Sequence, residues 1–225
     1  MKKINLLIVS IALIFSSCTD TATYKTPETE MEKVSYSLGV NMASSVKQQG
    51  METIDAQAVA KAFADVFEGN DLDISEEESM TTLQDFFGKM QAEKSAKANE
   101  AGAAYLAENG AKEGVITTES GLQYEVIVSG DGAKPTTADQ VTVHYHGMLT
   151  DGTVFDSSVD RGQPATFGVT QVIKGWTEAL QLMSVGDKWK LTIPSGLAYG
   201  DQGAGGMIGP GATLVFEVEL LGITN

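Results

Sequence analysis

The chain has 225 residues, enough for one large domain or two small ones, and 42% of them are hydrophobic, the composition of an ordinary globular protein. Fifteen basic residues against 30 acidic ones give a formal net charge of −15. A field of that sign repels nucleic acid and anionic lipid head groups, so partners are expected to be neutral, basic or held by apolar contact; the acid equally serves solubility alone.

The first segment reads as a targeting signal. Lys2 and Lys3 precede the apolar run Ile4 to Phe15, which is too short to span a bilayer, and Phe15-Ser16-Ser17-Cys18 follows. Small residues before a lone cysteine resemble the bacterial lipoprotein box, which implies a signal peptide over 1–17, lipid on the Cys18 thiol and a place in the cell envelope. An ordinary signal peptide with an incidental cysteine is the alternative. Cys18 is the single cysteine, so a disulfide within the chain is excluded. Residues 18–27 are mostly small and polar and read as a tether.

From 28 to 112 the pattern is helical. Thr29 and Glu32 form a capping-box signature, with Met31, Val34, Leu38 and Met42 at helical spacing behind it. Asp55 is placed to cap a second helix carrying Val59, Phe63, Val66 and Phe67, which stops at Gly69-Asn70. Ser75 and Glu78 open a third, predicted over about 75–110, with an apolar stripe of Met80, Leu83, Phe86, Phe87 and Met90. From Lys94 to Ala104 large apolar residues disappear, the pattern of a helix that bridges two folded units through solvent. A helical unit of this size has a marginal core, so a homodimer through residues 28–90 is expected, with a monomeric bundle as the alternative.

After 114 short alternating segments are separated by turn residues: Gln123 to Val128, Gln140 to Leu149, Lys188 to Ile193 and Thr213 to Leu221. Asp151-Gly152 and Gly186-Asp187 mark turns, and only Trp176 to Met183 reads as helix. The fold class is α+β: a C-terminal antiparallel β-sheet with one short helix over 114–225, preceded by an all-α domain with a long linking helix.

Several chemistries can be set aside. His144 and His146 share a strand face, which permits a metal pair, but no third ligand lies near them; groove-edge histidines are the plainer reading. The glycine-rich stretch 200–211 precedes a strand where a phosphate loop needs a helix, so it reads as a flap beside a site or as a long hairpin connection. What remains is an aromatic and apolar set, Tyr145, Phe155, Phe167, Val172, Ile173, Trp176, Tyr199, Ile208 and Phe216. Its members are core by default, except that Trp176 opens the short helix and Tyr199 flanks the glycine loop, where rings can line a cavity. Arg161, the only arginine, lies five residues after Asp156 across a turn-like stretch, within reach of its carboxylate; an inconsequential surface pair is the alternative.

These residues carry a specific resemblance. Val143-His144-Tyr145-His146-Gly147-Met148-Leu149, Phe155-Asp156-Ser157-Ser158, Val172-Ile173-Lys174-Gly175-Trp176, Leu197-Ala198-Tyr199-Gly200 and the stretch Ala212 to Leu220 resemble the FKBP signature, in order over about 110 residues. The helical region is similar, by pattern, to the dimerisation domain of macrophage infectivity potentiator-like isomerases. The resemblance implies a peptidyl-prolyl cis-trans isomerase without cofactor or metal, acting on proline-containing unfolded or partly folded proteins. It implies catalytic roles for Tyr145, Phe155, Asp156, Trp176, Tyr199 and Phe216, and substrate binding by Arg161, Phe167, Val172, Ile173 and Ile208. Trp176 would be the pocket floor, and the Ile173 N–H and the Tyr199 hydroxyl would hold substrate carbonyls. Ala165, Ala204 and Gly209 depart from the best-known pattern at rim and flap. A holdase with incidental isomerase activity is the alternative from another class, and a purely adhesive surface lipoprotein a third.

Overall fold

A computed structural model describes residues 25–224, and Cys18 with the segment expected to be a targeting signal lies outside them. The chain forms two compact units that divide between Leu72 and Asp73.

The first unit holds α1 (Glu30–Gln48) and α2 (Ala56–Glu68). The reciprocal cap forms as the sequence predicts: Glu32 N–H donates to Thr29 Oγ1 at 3.3 Å, and Thr29 N–H to the Glu32 carboxylate at 2.8 Å. Asp55 Oδ1 accepts the N–H groups of Gln57 and Ala58, satisfying donors that a helix start otherwise leaves open. Gly69 ends α2 at φ +72°, a conformation that favours glycine because it has no Cβ. No residue of α1 is buried, and Val66 and Phe67 of α2 are 65% and 81% exposed.

The second unit opens with α3 (Glu76–Gly110), capped by Ser75 Oγ, which accepts from Glu78 N–H. Seven strands follow: β1 (Val115–Thr117), β2 (Gln123–Val128), β3 (Gln140–Leu149), β4 (Val154–Ser157), β5 (Ala165–Gly168), β6 (Lys188–Ile193) and β7 (Leu214–Thr224). All pairings are antiparallel, in the order β1-β2-β6-β7-β3-β4, with β5 also paired to β3. The helix α4 (Lys174–Leu182) lies between β5 and β6 in sequence and buries Trp176, Ala179 and Leu180. Opposite it, Val141, Val143 and Tyr145 of β3, Leu191 and Ile193 of β6, and Leu214, Phe216, Val218 and Leu220 of β7 make one core. The period of two puts His144 and His146 on the other face of β3, where their Nδ1 atoms meet Ser158 Oγ at 3.1 Å and Ser157 Oγ at 2.8 Å. Gly175 lets α4 approach β6 closely, since a Cβ there would lie 2.5 Å from Ile193 Cγ2.

The polar half of α3 differs from the solvent-bridging helix that its composition predicts. Ser95, Gly102 and Asn109, seven residues apart and so on one face, are buried against the sheet unit. Asn109 Nδ2 donates to Gln123 Oε1 at 2.9 Å and to Thr192 Oγ1 at 3.3 Å, and Gln123 Nε2 donates to the Leu106 carbonyl at 2.8 Å. Small and amide side chains dock this helix through hydrogen bonds, which hydrophobic periodicity does not register. No helix among the described residues is long and apolar enough to cross a membrane.

Candidate active site

Between the sheet and the first turn of α4 lies an open cavity of about 390 Å³. Its lining comes from separate elements: Tyr145 of β3, Phe155 and Asp156 of β4, Phe167 of β5, Val172 and Ile173 before α4, Trp176 in its first turn, Tyr199 after β6 and Phe216 of β7.

Trp176 is 4% exposed and forms the floor. Three rings stand nearly perpendicular to it, Tyr145 at 5.4 Å and 84°, Phe167 at 6.0 Å and 89°, and Phe216 at 5.3 Å and 78° between centroids and planes. Phe155 extends the wall, edge-on to Phe216 at 5.5 Å. Edge-to-face packing satisfies the ring quadrupoles and fixes the walls without filling the space between them. A strand glycine permits this: a Cβ on Gly147 would lie 2.7 Å from Phe216 Cε1 and 2.8 Å from Phe155 Cε2.

One edge of the cup is polar. Tyr145 donates its hydroxyl proton to Asp156 Oδ2 at 2.5 Å, and Arg161 donates from Nη2 to the Tyr145 oxygen at 2.8 Å and from Nη1 to Asp156 Oδ1. The turn after β4 brings Arg161 back, with Gly162 N–H bonded to the Val159 carbonyl at 2.9 Å. Burial by itself raises the Asp156 carboxyl, but the hydrogen bonds from Tyr145 and Arg161 outweigh it and hold the group below its ordinary 3.8. Burial, helped by the bond to Asp156, pushes the Tyr145 hydroxyl above its ordinary 10.0, so it remains a donor at neutral pH. Opposite, Ile173 precedes α4 with extended backbone, and among the described residues its N–H has no acceptor.

Of the eleven residues expected at the site, nine line the cavity, and Arg161 reaches it through its bonds to Asp156 and Tyr145. Ile208 instead packs in the hydrophobic core, 8% exposed, its backbone paired with Ala204. Gln171, passed over in the sequence because its neighbours Val172 and Ile173 stood out as apolar, also lines the cavity. The role of Gly147 was missed too, although a glycine inside a strand is itself a sign of close approach. No cluster of three or more metal-binding side chains occurs among the described residues.

An antiparallel sheet packed on one helix frames an aromatic cavity, edged by the hydrogen-bonded Tyr145, Asp156 and Arg161. The family model described as FKBP-type peptidyl-prolyl cis-trans isomerase matches residues 132–221, and that for the domain amino-terminal to such isomerases matches 31–126. The outer membrane protein MIP of Legionella longbeachae is 41% identical over 230 residues, covering 99% of this chain and 97% of that protein. The FKBP-type 22 kDa peptidyl-prolyl cis-trans isomerase of Escherichia coli is 47% identical over 207 residues, covering 90% and 98%. The crystal structure of FkpA from Escherichia coli superposes with a TM-score of 0.65 at 35% identity, covering 88% of this chain and 99% of that one. The chain belongs to the FKBP-type peptidyl-prolyl cis-trans isomerases, in the group that carries the amino-terminal helical domain.

Proposed function

We propose that the cup accelerates rotation about X–Pro bonds in proteins folding in a bacterial cell envelope. It would do so by stabilising the twisted amide without proton transfer or a covalent intermediate. Uncatalysed rotation has a barrier of about 18–20 kcal/mol and takes tens to hundreds of seconds, slow enough to limit folding. Twisting breaks amide resonance and lessens the charge separation of the planar bond. A site poor in water therefore favours the twisted amide over the ground state, and that difference is what lowers a barrier. In this reading the proline ring sits on Trp176 between the perpendicular rings. Ile173 N–H and the Tyr199 hydroxyl hold the flanking carbonyls, and Asp156, oriented by Arg161, borders the rotating amide. The observation that carries the reading is the buried Trp176 floor with three rings set nearly at right angles to it.

The test is exchange of an X–Pro peptide followed by NMR, with Phe155→Ala and Asp156→Ala beside the unaltered chain. Fast exchange that both substitutions reduce supports the reading. Background exchange together with strong suppression of aggregation would favour a holdase instead.

Two finer features belong to the same proposal. The apolar faces of α1 and α2, with Met31 71% and Phe67 81% exposed, fit burial against a second copy, giving a homodimer through residues 28–90. The run Lys2 to Cys18 supports a lipid anchor at the Cys18 thiol, and one relative is named an outer membrane protein. Cys18→Ala should move the protein from the detergent phase to the aqueous phase; equal partition of the two forms would remove the anchor.

A further inference from the structure

Tyr199 is a wall of the cup that neither a strand nor an α-helix carries. It stands in the stretch 195–213, between β6 and β7, and is 41% exposed. Five glycines in this stretch, Gly200, Gly203, Gly205, Gly206 and Gly211, have φ between +56° and +74°. Glycine loses more conformational freedom on ordering than any other residue, so such a loop needs external fixing to hold a ring still. Within the loop, the Ala204–Ile208 bridge and the bond from Gly211 N–H to the Gly200 carbonyl at 2.9 Å close its tip and base.

Ile208 also packs into the core, and a further set of anchors comes from α3. Gln91 Nε2 donates to the Asp201 carbonyl at 2.6 Å, and Ser95 Oγ donates to Asp201 Oδ1 at 2.5 Å. Asn99 ties the helix to the other side of Tyr199, accepting from Ser195 Oγ at 2.6 Å while donating to Ser95 Oγ at 3.2 Å. The backbone of Gly211 packs on Ser95 and Asn99 so closely that a Cβ there would lie 2.9 Å from Ser95 Oγ and 3.1 Å from Asn99 Nδ2. A Cβ on Gly102 would likewise collide with Thr213 at the loop's end. Tyr199 is thus bracketed four residues before and two residues after by bonds to one helix, and on the helix side Ser95 is buried at 4% exposure.

We propose that Ser95 and Asn99 are positioning residues for the isomerase reaction: α3 holds the 195–213 loop so that Tyr199 faces the cup. The proposal rests on the site reading above in taking Tyr199 as a contact of the substrate. The helix is then part of the enzyme's working apparatus as well as its connection to the amino-terminal unit.

The experiment uses the full chain after its targeting segment, with a prolyl tetrapeptide as substrate and amide hydrogen exchange as the second measurement. Ser95→Ala combined with Asn99→Ala should raise KM about fivefold, the net weight of one ordinary hydrogen bond, with kcat changed less. Exchange of the amides between Gly203 and Gly211 should accelerate, while those of β3 and β7 keep their protection. Asp201→Asn, which retains the acceptor oxygen, should keep the original KM, and Asp201→Ala should not. Tyr199→Ala serves as reference. If it raises KM while the Ser95/Asn99 pair leaves both KM and loop exchange unchanged, the anchoring proposal is overturned and the site reading stands. If Tyr199→Ala itself leaves kcat and KM unchanged, the reading of Tyr199 fails and the proposal falls with it. Faster loop exchange with an unaltered KM also overturns it.

Discussion

Gly147→Ala probes the cup through a single methyl group. Gly147 pairs with Phe216 of β7 on one side and with Asp156 of β4 on the other, and its backbone is not in the left-handed region, so alanine fits the chain conformation. The new Cβ would stand 2.7 Å from Phe216 Cε1 and 2.8 Å from Phe155 Cζ, against an ordinary contact of 3.4 Å or more, so both rings must retreat by roughly 0.6 Å. Phe216 has little room, being 5% exposed and edge-on to the Trp176 floor at 5.3 Å. Phe155 sits on a short edge strand and should yield, tilting the wall. Overpacking of this kind costs about 1–3 kcal/mol, reduced by up to ~1 kcal/mol because alanine gives up less chain entropy than glycine in a strand. For a unit of this size the midpoint of thermal unfolding should fall by roughly 2–8 °C. A ring displaced by a fraction of an ångström in a site that works by fit should lower kcat/KM about tenfold. Calorimetry and peptide isomerisation read the two effects. Gly222→Ala is the control, because nothing lies within 4 Å of its Cβ. If Gly147→Ala matched the control in both measurements, the tight placement of the two rings would not matter to fold or catalysis.

Asp156 titrates below its ordinary value in the folded chain, so its contribution to stability is present above about pH 4 and is lost as pH falls through the lowered value. kcat/KM should accordingly be level from pH 8 to 5, and a step centred between pH 6 and 7 would point to a different ionising group. Asn109→Ala removes a buried amide that bridges Gln123 and Thr192 and should destabilise the sheet unit by about 1–3 kcal/mol in urea unfolding; a midpoint unchanged within error would mean that the docking of α3 contributes nothing there. If α1 and α2 form the proposed dimer, Phe67→Glu, at a residue 81% exposed, should convert it to monomer in sedimentation while its peptide isomerase rate stays the same. A variant that sediments as the unaltered chain does would remove Phe67 from any interface.

The strands β2, β3 and β6 were legible because each runs six residues or more with alternating or continuous apolar character between turn signals. β1, β4 and β5, of three or four residues, are too short for a period to register, and their places are fixed by pairing with longer neighbours. The stretch Lys94 to Ala104 of α3 has the composition of a solvated helix because the contacts of Ser95 and Gly102 are a hydrogen bond and close backbone approach, which leave no apolar pattern. The cup was hidden in another way. Tyr145, Trp176 and Phe216 are each at most 6% exposed, so by composition they are core, and only the order of motifs shared with a family separated walls from interior. That order also brought in Ile208, whose side chain turns from the glycine loop into the core and is not part of the cavity lining.

Rotation of the bound amide is the quantity on which the account turns. Exchange NMR at saturating enzyme can follow cis and trans forms of a prolyl peptide while both are held in the cup, for the unaltered chain and for Trp176→Ala. The account predicts bound-state interconversion at least about a thousandfold faster than in free peptide, some 4 kcal/mol off the barrier, and most of that lost when the floor is removed. Interconversion in the complex no faster than in solution, or undiminished without Trp176, would contradict it.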